Sequence, residues 1–89
     1  MALVSYYVDD VLGEILDTLQ LTGYYEMLGG HYAFASDSIY SAAIGAAYDE
    51  IWRLLDDDNP DNDHEEYLDI LETTESIVMR WSTEKGIWV

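Results

Sequence analysis

Apolar positions recur along the chain mostly at helical spacing. Val8, Val11, Leu12, Ile15, Leu16 and Leu19 stand at i, i+3, i+4, i+7, i+8 and i+11, which predicts a first helix over about residues 5–21, ended at Gly23. Residues 24–28 read as a short helical turn before Gly29 and Gly30 break the chain, and residues 29–35 as loop, with a short strand over 31–34 as the alternative. Ser36 or Asp37 is placed to accept from an orphan amide and cap a second helix. Its apolar stripe is Tyr40, Ala43, Ile44, Ala47, Tyr48, Ile51, Trp52 and Leu55. The small residues Ala42, Ala43, Gly45, Ala46 and Ala47 slim its middle, so the helix over 39–55 is expected at the centre of the packing. The run DDDNPDND over 56–63 breaks the pattern, and Asp63 with Glu66 forms an acidic capping box for a third helix. That helix would bury Tyr67, Ile70, Leu71, Thr74, Val78 and Trp81. Its end has two readings: helix to about Ser82 with an extended tail, which the spacing favours, or a hairpin with Gly86 at the turn. The expected fold is all-α: three main helices, an extra short helical turn and an extended C-terminal tail, residues 1–89 forming one domain.

Charge changes this picture more than composition does. The 89 residues are 49% hydrophobic and 25% charged, ordinary for a globular chain, but Asp and Glu number 19 against Arg53, Arg80 and Lys85, a net charge of -16. A small domain needs a net charge of only about 2–8 to stay soluble. Eight Tyr and three Trp, with many aliphatic residues, supply enough apolar surface to argue against disorder. Without cysteine there is no disulfide framework, thiolate zinc site or cysteine nucleophile, which suits a reducing cytoplasm, the expected location. Residues 1–8 lack the basic start of a signal peptide, and the apolar runs fall short of the roughly 18 residues of a membrane span. Anionic lipid and nucleic acid both repel such a chain, so the expected partner is a basic protein.

At 100° per residue, Asp10, Glu14 and Asp17 lie opposite the stripe of the first helix, and Glu65, Asp69 and Glu72 opposite that of the third. Each adjacent like-charge pair costs about 0.2–0.5 kcal/mol, so selection for stability alone would intersperse Lys or Arg. The bases look locally engaged instead, Arg53 four residues after Asp49 and Arg80 four before Glu84, with Lys85 near a helix C-terminus. A helix of about 16 residues spans roughly 24 Å, over which duplex DNA carries about 14 phosphate charges, a density comparable with the charge of this chain.

In surface character the chain resembles the small acidic DNA-mimic inhibitors encoded by phages and mobile elements, including anti-CRISPR and antirestriction proteins. The residues carrying the resemblance are the two ladders and the cluster Asp56, Asp57, Asp58, Asp61, Asp63, Glu65 and Glu66. It implies a partner-binding surface made of these residues with Asp10, Glu14, Asp17, Asp69 and Glu72. That surface would occupy the nucleic-acid groove of a CRISPR effector, restriction enzyme or other DNA-processing protein, in the host cytoplasm and without catalysis. The alternative from a different class is an interaction module or acidic chaperone, its acidity answering a salty cytoplasm or a basic partner unrelated to nucleic acid.

Other chemistry finds less support. A calcium loop starting at Asp57 would align Asn59, Asp61 and Asp63, but Asn62 stands at the glycine position and Leu68 where a bidentate Glu is needed. His31 and His64 have no partner spacing, and Ser36, Ser38 and Ser41 lie in no nucleophile signature. With 19 carboxylates, pairs suited to hydrolysis carry no signal, so no catalytic residue, metal or cofactor is assigned. Tyr40, Tyr48, Trp52, Tyr67 and Trp81 fit core stripes, whereas Tyr6, Tyr24, Tyr25, Tyr32 and Trp88 have no inward assignment and are candidate interface anchors.

Overall fold

The computed structural model describes the backbone of residues 10–85 and the side chains of residues 10–81. It contains three α-helices, α1 (Asp10–Thr18), α2 (Asp37–Asp56) and α3 (His64–Lys85), a 3-10 turn (Thr22–Tyr24) and an antiparallel hairpin of β1 (Glu26–Leu28) and β2 (His31–Ala33). The expected start of the first helix, Val8, the aromatics Tyr6 and Trp88, the side chains of Glu84 and Lys85 and the tail beyond Lys85 lie outside the described residues. Contacts gather into two compact units, Met1–Ala47 and Tyr48–Val89, divided within α2.

In the first unit the stripe of α1 buries Leu12, Ile15 and Leu16, with Leu19 just beyond, while Val11 is 44% exposed. A fully buried leucine contributes about 1.5–3 kcal/mol, and Leu12 and Leu16 both qualify. Val11 sits about 90° from the centre of the stripe, at its rim. The helix stops at Thr18, not near residue 21 before Gly23. Gln20 takes the left-handed conformation (φ 62°), the Leu21 amide donates to the Leu16 carbonyl (2.7 Å) and the Gln20 amide to the Asp17 carbonyl (3.1 Å). These bonds form a Schellman cap built on a residue other than glycine.

The hairpin corrects the all-α expectation, and with it the helical turn over 24–28. Gly29 (φ 59°) and Gly30 (φ 83°) both adopt positive φ, as a two-residue type I′ turn demands, and this pairs Glu26 with Ala33, Met27 with Tyr32 and Leu28 with His31. Behind it Phe34 is fully buried and meets Tyr40 edge-to-face, ring centroids 4.9 Å apart. Ser36 is the N-cap of α2: its Oγ accepts from the Ile39 amide (3.2 Å) and its carbonyl from the Tyr40 amide (3.0 Å). Asp37 follows in the first turn, where the helix dipole favours a carboxylate. The stripe buries Tyr40, Ala43, Ile44 and Ala47 here and Ile51 in the second unit. Trp52, expected in the core, is 53% exposed, because it lies about 100° round the helix from Ile51.

In the second unit Asp63 caps α3, its Oδ1 accepting from the Glu66 amide (3.1 Å) and its carbonyl from the Tyr67 amide (3.1 Å). Leu71, Thr74, Ile77 and Trp81 are buried, and Tyr67, Ile70 and Val78 half-buried. The Thr74 hydroxyl, fully enclosed, donates to the Ile70 carbonyl (2.8 Å), so its burial leaves no orphan donor. Thr74, Ile77, Val78 and Trp81 keep the spacing i, i+3, i+4, i+7, and the helix accordingly runs on to Lys85. That overturns the C-terminal hairpin and carries the favoured helix three residues past Ser82. Among the described residues no helix is long and apolar enough to cross a membrane.

Candidate acidic interface

The twelve carboxylates singled out in the sequence are divided by their surroundings into three groups. Asp10, Glu14 and Asp17 are exposed on α1, opposite its buried stripe, and the following segment reaches Asp10 and Asp17. Both Tyr25 and Tyr32 donate their hydroxyls to Asp17, the Tyr32 bond at 2.9 Å, and His31 Nδ1 lies 3.7 Å from Asp10 Oδ1. The two tyrosine rings meet edge-to-face at 4.8 Å. The Tyr32 ring rests on α1 at Gly13, where a Cβ would fall 2.1 Å from its Cγ, so only glycine admits the ring. The hydrogen bond to Asp17 raises the Tyr32 phenol above its ordinary value. Burial and the negative charges of Asp17, Glu14 and Asp10 act in the same direction. Tyr25 and Tyr32 are therefore half-buried structural partners of this ladder, not free anchors. The sequence signal that was available is the pairing of Gly13 with an aromatic-rich segment after the helix, which has no fixed spacing.

The second group lies in the loop between α2 and α3. Asp57 Oδ1 accepts from the Asn59 amide (3.0 Å), Asn59 Oδ1 from the Asp61 amide (3.0 Å), and the Asn62 amide donates to the Asn59 carbonyl (3.0 Å). This is a turn around Pro60 fastened by successive Asx bonds. Asn62 Nδ2 donates to the Leu54 carbonyl (3.2 Å), and His64 Nε2 lies 3.2 Å from the Asp57 carbonyl, tying the loop back to the helix end. Asp57 and Asp63 thus hold backbone amides, while Asp56, Asp58 and Asp61 are exposed. Among the described residues no three His, Asp or Glu side chains gather as a metal site, and Asp57, Asn59 and Asp63 are turned toward backbone amides.

The third group is the outer face of α3. Glu65, Glu66, Asp69 and Glu72 are all exposed, and Glu65, Asp69 and Glu72 fall within about 60° of arc opposite Leu71, Thr74 and Trp81. Among the described residues no hydrogen-bond donor reaches the side chains of these three. Leu68 and Met79 stand exposed along one flank of the ladder. Arg53 pairs with Glu50 instead of the expected Asp49: its Nε donates to Glu50 Oε1 (3.0 Å) and its Nη2 to Oε2. The bond holds the Glu50 carboxyl below the ordinary carboxylate range and raises the Arg53 guanidinium. Spacing alone allowed either acid, since i,i+3 and i,i+4 both face a helical arginine. Half-buried Tyr48 is raised by its burial and by the nearby Glu75.

Compared with family models, curated proteins and solved structures, the chain matches none.

Proposed function

We propose that the outer face of α3 and the loop preceding it occupy the positively charged groove of a nucleic-acid-binding protein, where their carboxylates stand in for phosphates. The observation that carries this reading is the stretch between Arg53 and Arg80, in which Asp56, Asp57, Asp58, Asp61, Asp63, Glu65, Glu66, Asp69, Glu72 and Glu75 follow one another with no lysine or arginine among them. From residue 65 to 75 the helix rises about 15 Å, over which one DNA strand presents about four phosphates. On the same length the outer face presents Glu65, Asp69 and Glu72, with Glu66 and Glu75 at its two edges. A groove shaped for phosphates would draw in such a face through its long-range field, and contact would then exclude the nucleic acid. The action is competitive and involves no covalent chemistry. The partner is a host defence or DNA-processing protein such as a CRISPR effector or restriction enzyme, encountered in the cytoplasm.

The test is capture of partners from host extract on the immobilised full chain, followed by elution with duplex DNA or guide RNA. Nucleic acid should displace the partner, and a variant carrying Glu65→Lys, Asp69→Lys and Glu72→Lys should fail to capture it while keeping its helical circular dichroism. A stable ternary complex with bound nucleic acid would sink the competitive mechanism. The second reading, an interaction module or chaperone adapted to high salt, draws on the self-repulsion of the same ladder. It expects unfolding at low ionic strength and recovery in molar salt, where the Debye length shrinks to about 3 Å.

A further inference from the structure

Between the 3-10 turn, the base of the hairpin and the first turn of α2, the first unit holds a groove of about 160 Å³ lined chiefly by Tyr24, Tyr25, Glu26, Ala33, Ala35 and Ile39. An aliphatic-lined cavity of about 150 Å³ accommodates benzene, so the groove has room for one phenyl ring. Ile39, one of its apolar walls, is itself exposed to water. Water-exposed apolar side chains beside an apolar groove mark a surface that gains from being covered.

Charge selects what covers it. Residues 1–47 carry Asp9, Asp10, Glu14, Asp17, Glu26 and Asp37 and neither lysine nor arginine. A second copy of the chain would bring the same sign of charge and be repelled, whereas a basic segment would be drawn in. We propose that this groove takes a single aromatic side chain, of phenylalanine size, from a basic segment of the partner protein, with Glu26 meeting a flanking lysine or arginine. The proposal rests on the reading of the chain as a ligand for a basic protein. To that reading it adds an apolar anchor, of the kind that concentrates binding energy in protein interfaces. The acidic faces then supply attraction at a distance, and the groove supplies the residence time that salt-screened charges lack.

The probes are two synthetic peptides, Lys-Arg-Phe-Arg-Lys and Lys-Arg-Ala-Arg-Lys, titrated at low salt into the isotope-labelled full chain and followed by amide chemical shifts. The phenylalanine peptide should bind roughly tenfold tighter. Its shifts should centre on Tyr25, Glu26 and Ala35. Ala35→Trp, which fills the groove, should abolish that preference and leave the alanine peptide's affinity unchanged. Ile39→Ala, which removes a wall without adding bulk, should weaken the preference in a chain whose hairpin amides are otherwise unmoved. Equal binding of the two peptides, with shifts confined to α3 and the acidic loop, would overturn the groove proposal and leave the basic-partner reading standing. Failure of both peptides to bind would overturn both.

Discussion

The ladders of α1 and α3 share the spacing i, i+4, i+7 and the position opposite an apolar stripe, yet they have different surroundings. In the first, Asp17 accepts the hydroxyls of Tyr25 and Tyr32, and an imidazole lies near Asp10. Over Glu65, Asp69 and Glu72 there is solvent. Two of the first three carboxylates therefore hold other side chains of their own unit, and the other three stand exposed in mutual repulsion. The proposed contact rests on the face of α3, with Asp56, Asp58 and Asp61 beside it.

The largest expected effect is at Gly13. In an ordinary helix interior Gly→Ala gains up to about 1 kcal/mol, but at Gly13 the added methyl overlaps the Tyr32 ring. Gly13→Ala should therefore destabilise the chain, by about 1–3 kcal/mol, and release the hairpin, as denaturant melts and the Tyr32 amide shifts would report. A stabilised Gly13→Ala would mean that the hairpin does not rest on α1. Asp17→Ala removes the acceptor of two tyrosines and should cost about 1 kcal/mol, discounted for exposure. Gly45→Ala is the control for Gly13: its Cβ would meet nothing, so thermal unfolding should rise by about 4–8 °C. Asp69→Asn relieves repulsion with Glu65 and Glu72 and should stabilise by about 0.4–1 kcal/mol at low salt and by almost nothing in molar salt. Opposite signs for Asp17→Ala and Asp69→Asn would confirm the contrast between the ladders, and equal signs would erase it.

The smallest effect concerns pH. Tyr32 holds its proton more tightly folded than unfolded, so its contribution is full below the ordinary tyrosine value of 10.0 and is lost as pH rises through the elevated folded value. Phenolate absorbance should show Tyr32 and Tyr48 titrating late, and Asp17→Ala should move only Tyr32 earlier. A titration left unchanged by that substitution would disconnect the two residues.

Much of the fold was legible in the residues themselves. The three apolar stripes, the Ser36 cap and the Asp63 cap all rest on contacts within one or two turns, which sequence spacing specifies directly. The rim positions Val11 and Trp52 were misjudged because helical spacing gives an angle but not the width of the buried arc. A strand over 31–34 stood only as the alternative and β1 was read as a helical turn, because three-residue strands are too short to show alternation. The Gly29–Gly30 pair was read only as a break, although it is also a hairpin turn.

For the candidate interface, sequence alone determined the amount and sign of the charge, its placement on the outer faces of α1 and α3, and the scarcity of cations to oppose it. These follow from residue identity and the helical repeat. Only tertiary structure decided which carboxylates are engaged. Tyr25 and Tyr32 meet Asp17 from eight and fifteen residues away. That meeting depends on a turn, a flat glycine platform and ring packing, all of them relations between elements that no local pattern encodes.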